Sequence, residues 1–163
     1  MELSLEDWLR EFRLCHELAK RGELSEIALR DYWEARNELA RALLNAQNQR
    51  VQPRHEPRHC LRVFRVLQVN IALFEGPVRT ATRTISSQGF ETILASPPIQ
   101  GAISRVSLRI PGREPLHASA RVTQWKRQLG HACAWFGFVD LPQCESERLE
   151  TFVFDAVLEQ FSY

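Results

Sequence analysis

The sequence predicts a mainly β domain, a sandwich or small barrel of antiparallel strands, with an α-helical hairpin before it and one helix after it. Three observations carry this expectation. Between Val63 and Val139, six short runs with apolar alternation follow one another, separated by turns rich in Gly and Pro, which is the pattern of half-buried antiparallel strands. Before Gln49 the apolar residues recur instead at steps of three and four, and they do so again from Glu145 to Phe161; that is the period of one helix face.

Ser4-Leu5-Glu6-Asp7 has the form of a capping box, with Ser4 as N-cap and Asp7 reaching back to its amide. Leu5, Trp8, Leu9, Phe12, Cys15, His16 and Ala19 form the apolar stripe of the helix that follows. Lys20 and Arg21 suit the negative end of its dipole, and Gly22 suits a left-handed cap. A second helix is expected from near Ser25 to about Gln49, with Ile27 or Ala28, Tyr32, Ala35, Leu39, Leu43 and Ala46 inward. The short Gly22–Leu24 connection makes the pair an antiparallel hairpin. Trp8, Phe12, Tyr32 and Trp33 read as packing residues. Two helices alone bury little, so the hairpin is expected to dock on the β domain or on a second copy of itself.

Periodicity stops between Asn48 and Pro57, where Pro53 and Pro57 favour an extended arm. The expected organisation is therefore a helical hairpin over 1–50, an arginine-bearing arm over 51–62, and a β domain with its closing helix over 63–163. The six strand-like runs are Val63–Phe74, Val78–Ile85, Phe90–Leu94, Ile103–Ile110, Leu116–Trp125 and Ala132–Val139. Gly76-Pro77, Pro97-Pro98, Pro111-Gly112 and a polar 126–131 segment with Gly130 punctuate them. In the last helix Leu149, Phe152, Val153, Ala156, Val157 and Gln160 or Phe161 are expected inward.

Apolar content of 44% and charged content of 25% are those of an ordinary globular protein. No signal peptide and no run near the ~18 apolar residues of a membrane span is visible, so a cytoplasmic protein with no membrane partner is expected. Cys15, Cys60, Cys133 and Cys144 show no C-x-x-C pair and read as reduced thiols. His55, His59 and Cys60 lie close together, but a second ligand cluster at finger-like spacing is missing, so no metal site is expected.

The net charge of +1 conceals segregation. Residues 1–50 carry 8 Lys/Arg against 10 Asp/Glu, residues 51–130 carry 12 against 4, and residues 131–163 carry 1 against 6. The basic middle block points to an anionic ligand. No nucleophile with a base beside it is visible, and phosphate loops of the Walker or dinucleotide kind are missing, so an enzyme is not expected and no cofactor is assigned.

Within the basic block, Arg58-His59-Cys60-Leu61-Arg62 sets two guanidinium groups four residues apart, and Thr84-Ile85-Ser86-Ser87-Gln88-Gly89 ends a hydroxyl-rich turn on glycine. Arginine suits planar anionic ligands, because its fork bonds two acceptors and its flat face stacks on a base. Gly89 suits either positive φ or the close approach of a ligand to the backbone.

These two motifs, in this order and at this spacing, resemble those of the PilZ family, Arg-x-x-x-Arg followed by Asp/Asn-x-Ser-x-x-Gly. Arg58, Arg62, Ser86 and Gly89 match, and Thr84 stands where the family has Asp or Asn. The resemblance runs from about Arg54 to the C-terminus and leaves out the first fifty residues. It implies a six-stranded antiparallel β-barrel with a C-terminal helix, and a non-catalytic bacterial signalling module that binds cyclic di-GMP. The implied ligand-binding residues are Arg58, Arg62, Thr84, Ser86 and Gly89. Arg58 and Arg62 would stack on guanine and bond its O6/N7 edge and the phosphates, and Ser86 would bond phosphate or base. Arg54, Arg65 and Arg83 would add charge. Closure of the 51–62 arm over the ligand would relay binding to a protein partner by reorienting the hairpin. The alternative is a PilZ-like scaffold without the ligand, acting by protein contact or self-association. A nucleic-acid partner ranks last: Phe64, Phe74, Phe90 and Trp125 are the only aromatic residues of the basic block, and several read as core.

Overall fold

The computed structural model describes residues 4–49 and 60–161. The chain divides into two compact units, Met1–Leu61 and Arg62–Tyr163. Most of the expected arm, Arg58 included, lies outside the described residues.

The first unit holds α1 (Leu5–Arg21) and α2 (Glu26–Gln49). Ser4 caps α1 by accepting from the Asp7 amide at 3.2 Å; its hydroxyl donates to the Asp7 carboxylate at 2.7 Å, so the acid closes on the hydroxyl. Gly22, with φ 69°, ends the helix in the left-handed region as its position implies. Phe12 stacks between Trp8 and Tyr32, with centroids 5.4 and 5.7 Å away. The Tyr32 hydroxyl shares a 2.7 Å hydrogen bond with His16 Nδ1 in the buried seam, which satisfies both polar tips. The buried line of α2 is Tyr32 and Arg36, one turn apart, with the Arg36 guanidinium 5.6 Å from the Tyr32 ring centre. Trp33 is exposed, against expectation, and of Ile27 and Ala28 it is Ala28 that is half-buried. Trp33 follows Tyr32 directly and so cannot share its face of the helix.

The second unit is a closed barrel. Its strands are β1 (Val63–Phe64), β2 (Gln68–Leu73), β3 (Gly76–Ser86), β4 (Gly89–Leu94), β5 (Ile103–Leu108), β6 (Leu116–Gln128) and β7 (His131–Val139). All pairings are antiparallel, in the order β1-β3-β2-β5-β6-β7-β4, and a β3–β4 pairing closes the ring. The six strands β2–β7 thus make the barrel expected, and β1 adds two residues to the rim of β3. Closure depends on the length of β3: Gly76–Ala81 pairs with β2, and Thr82–Ser86 pairs with β1 and β4. Arg83 is the extra residue of a bulge between the Thr82 and Thr84 pairings with β4. Such a bulge sharpens twist where a strand changes partner.

Val69, Ile71, Ile85, Phe90, Leu108, Leu116, Val122 and Phe136 fill the interior, each at most 1% exposed. Phe90 and Phe136 stack at 5.2 Å between centroids. The last helix, α3 (Gln143–Gln160), packs on β1 and β3 and buries Leu149, Val153, Phe154, Ala156, Val157 and Leu158. Phe154 and Leu158 therefore take places expected for Phe152 and Gln160 or Phe161. Arg65 ties α3 down, bonding Glu159 at 2.5 Å and the Ala156 carbonyl at 3.3 Å.

Three boundaries differ from those expected. Val63–Phe74 is two strands, because Thr82 replaces the ladder between them. Its hydroxyl accepts from the Leu67 amide at 2.9 Å and donates to the Arg65 carbonyl at 2.7 Å. The first hairpin turns on Phe74-Glu75, and Gly76 already opens β3. Strand β6 continues past Trp125 to Gln128, so the polar turn shrinks to Leu129-Gly130. Both have positive φ, 49° and 82°, as a two-residue hairpin of matching twist requires.

Candidate functional site

The β3–β4 hairpin carries the second motif. Its tip is Ser87-Gln88, so residues equidistant from the tip face one another: Ser86 opposite Gly89, and Thr84 opposite Glu91. Strand β7 continues both rows, Gly137 beside Gly89 and Trp135 beside Glu91. Strand β6 adds Arg121 beside Gly137 and Gln124 beside Trp135. Cross-strand partners share a face, so Ser86, Gly89, Gly137 and Arg121 form one row. Thr84, Glu91, Trp135 and Gln124 form the next, both on the face turned away from the Phe90–Phe136 core.

Arg62 reaches this face. Its guanidinium carbon lies 3.8 Å from the centre of the Trp135 ring, a cation–π contact. The indole in turn rests against Gly89. A Cβ on Gly89 would collide with the Phe136 carbonyl oxygen and stand 3.0 Å from Trp135 Cζ2. Gly89 does not have positive φ; the groups that approach it closely are β7 and its indole. Ser86 is fully buried. Its hydroxyl accepts from the Gln88 amide at 3.1 Å and shapes the turn.

Thr84 is buried, and its hydroxyl donates to Glu91 Oε2 at 3.4 Å. Glu91 Oε1 accepts from the Cys133 thiol at 2.9 Å and faces Arg83 Nη1 at 3.4 Å. Burial first, and then the Glu91 carboxylate, push the Cys133 thiol above its ordinary value. The thiol is thus a protonated donor to Glu91. Arg65 and Arg83, expected as added charge, are engaged with Glu159 and Glu91.

The structure therefore brings Arg62, Thr84, Ser86 and Gly89 to one face, and Arg58 lies outside the described residues. Glu91, Trp135 and Arg121 escaped the sequence reading. Glu91 had a signal, its mirror position to Thr84 across a two-residue tip. Among the described residues, no group of three or more His, Cys, Asp or Glu side chains is placed to hold a metal ion. No described helix is long and apolar enough to cross a membrane.

No protein-family model and no curated protein matches the chain. Solved structures do. The Bacillus subtilis inhibitor of motility MotI/DgrA aligns with a TM-score of 0.57 at 21% identity, over 66% of this chain and 56% of that one. The chain thus spans little more than half of that protein. The PilZ domain of YcgR from Escherichia coli, solved with c-di-GMP, aligns with a TM-score of 0.57 at 14% identity, over 64% of this chain and 95% of that domain. MrkH from K. pneumonia, also solved with c-di-GMP, aligns with a TM-score of 0.53 at 18% identity, over 68% and 55%. The six-stranded ring, the hairpin bearing Ser86 and Gly89, and the C-terminal helix give this chain the PilZ-domain fold.

Proposed function

We propose that the chain is a non-catalytic, PilZ-type receptor for cyclic di-GMP, and that it relays binding to a protein partner. The observation that carries this reading is the Arg62–Trp135 contact, 3.8 Å from guanidinium carbon to ring centre, next to the row that holds Gly89 and Gly137. A guanidinium held over an aromatic ring suits a guanine base, which can bond its fork through O6 and N7 or stack on its open face. Arg121, on the same row as Ser86 and Gly89, supplies a further cation for phosphate. Arg58 joins Arg62 on the ligand. The likeness to YcgR and MrkH, both solved with this ligand, supports the same reading.

Calorimetry with cyclic di-GMP, against GTP as control, tests it. Saturable binding of the cyclic dinucleotide alone is expected. Arg62→Ala should weaken it by about one to two decades, since a good bidentate arginine contact is worth roughly 1–3 kcal/mol. A flat trace with folded protein defeats the reading.

One observation favours a second reading, a PilZ scaffold that acts by protein contact without the ligand. Trp135 covers one face of Arg62, and the Ser86 hydroxyl is engaged in its own turn. Leu5, Leu14, Ile27 and Trp33 leave apolar surface on the helical hairpin. A flat titration together with dimers in sedimentation at micromolar concentration would select it.

A further inference from the structure

Glu91 is the only acidic residue in any of the seven strands β1–β7. It sits in the basic 51–130 block of the chain and in the middle of the candidate site. It is the cross-strand neighbour of Trp135, on which Arg62 stacks. Its surroundings fix the carboxylate without saturating it. Oε2 takes the Thr84 hydroxyl, and Oε1 takes the Cys133 thiol with Arg83 nearby. An ionised carboxylate has about four lone-pair directions; Arg83 also bonds Oε1 at 3.4 Å, so three are taken and one remains, on Oε2. The side chain is 22% exposed, which leaves an edge open to a ligand. The Thr84 hydroxyl is turned onto this carboxylate, so it positions Glu91 and does not present itself to a base.

We propose that Glu91 is the acceptor for the Watson–Crick edge of a bound guanine and sets the base specificity of the site. This rests on the receptor reading above. Guanine presents two parallel donors, N1–H and N2–H₂; one fills the open direction on Oε2, and the other replaces the 3.4 Å Arg83 contact on Oε1. Arg62 bonds the adjoining O6/N7 edge, so the two side chains divide one base between them. Hypoxanthine lacks the N2 amine and offers a single donor. Adenine has an acceptor at N1, which would face the carboxylate lone pairs without a proton between them. A site that bonds a ligand donor rejects the analogue lacking it, because its own buried acceptor is then left unpaired.

Calorimetry on the full chain with cyclic di-GMP, its inosine analogue cyclic di-IMP, and cyclic di-AMP decides the matter. Wild type should prefer guanine over inosine by about tenfold or more and bind the adenine ligand least. Glu91→Gln and Glu91→Ala, checked for folding by circular dichroism, should lose about 10- to 100-fold toward cyclic di-GMP and less toward the inosine analogue. Their guanine-to-inosine ratio should fall toward one. Thr84→Asp in the Glu91→Ala background should restore that ratio, because it returns a carboxylate to the adjacent register position. Wild-type binding with an unchanged ratio in folded Glu91→Gln would overturn this assignment and leave the receptor intact. No binding of cyclic di-GMP by wild type would remove the receptor and the assignment together.

Discussion

At Gly89 the hydrogen in place of a side chain is what lets two strands and an indole meet. A methyl there would press on the Phe136 carbonyl, which belongs to the β4–β7 ladder and cannot rotate away, and on the Trp135 ring. Gly89→Ala should therefore destabilise the barrel by about 1–3 kcal/mol, the usual cost of overpacking. It should also tilt Trp135 out from under Arg62. Urea denaturation followed by circular dichroism measures the first effect; a change in tryptophan emission, absent in a Trp135→Phe background, reports the second. The same residue marks how far the sequence could be read. The spacing of Ser86 and Gly89 was visible, and so, by counting out from a two-residue tip, was Glu91 opposite Thr84. Trp135 and Arg121 were not. Their place on this face depends on the register of β4 against β7, more than forty residues away in sequence, which the packing of Phe90 on Phe136 sets.

At the level of elements, the break between β1 and β2 shows where alternation misleads. Val63 to Phe74 reads as one strand because it is rich in apolar residues, alternates through Val69, Ile71 and Leu73, and holds no Gly or Pro, yet Arg65 to Leu67 leaves the ladder. Thr82 makes that departure affordable by giving the Leu67 amide an acceptor and the Arg65 carbonyl a donor, and its own amide bonds the Leu67 carbonyl at 2.8 Å. Nothing in the run itself announces a partner fifteen residues on. Thr82→Val keeps the shape of the side chain and removes both hydroxyl bonds, leaving a buried amide and a carbonyl without them. The expected loss is about 1–3 kcal/mol, the penalty for an unsatisfied buried polar group. Hydrogen exchange should place the loss locally, with the Leu67 amide, and not those of β5, losing protection first. The nearby Arg65 anchor to α3 should loosen with it, since Arg65 offers its carbonyl to Thr82 and its guanidinium to Ala156 and Glu159.

At the scale of the whole molecule, the described part of the candidate site lies within one of the two compact units, Arg62–Tyr163, and Arg62 is that unit's first residue. A ligand held by Arg62, the β3–β4 hairpin and Trp135 therefore ties the start of the unit to its central strands. Binding to the folded form alone stabilises it by about 2.7 kcal/mol at a hundredfold excess over Kd. For a unit of this length, at about 4–8 °C per kcal/mol, that corresponds to a rise in Tm of about 11–22 °C. We expect saturating cyclic di-GMP to raise the barrel transition by that amount and GTP to leave it unchanged. Arg58 lies just before the unit, so the amides of residues 51–62 should exchange more slowly in the complex than in the free protein. A full thermal shift without slower exchange over 51–62 would confine binding to the barrel and take away the arm as the route to a partner. Slower exchange over 51–62 that disappears in Arg58→Ala, with the barrel shift only reduced, would identify Arg58 as the residue that couples the two.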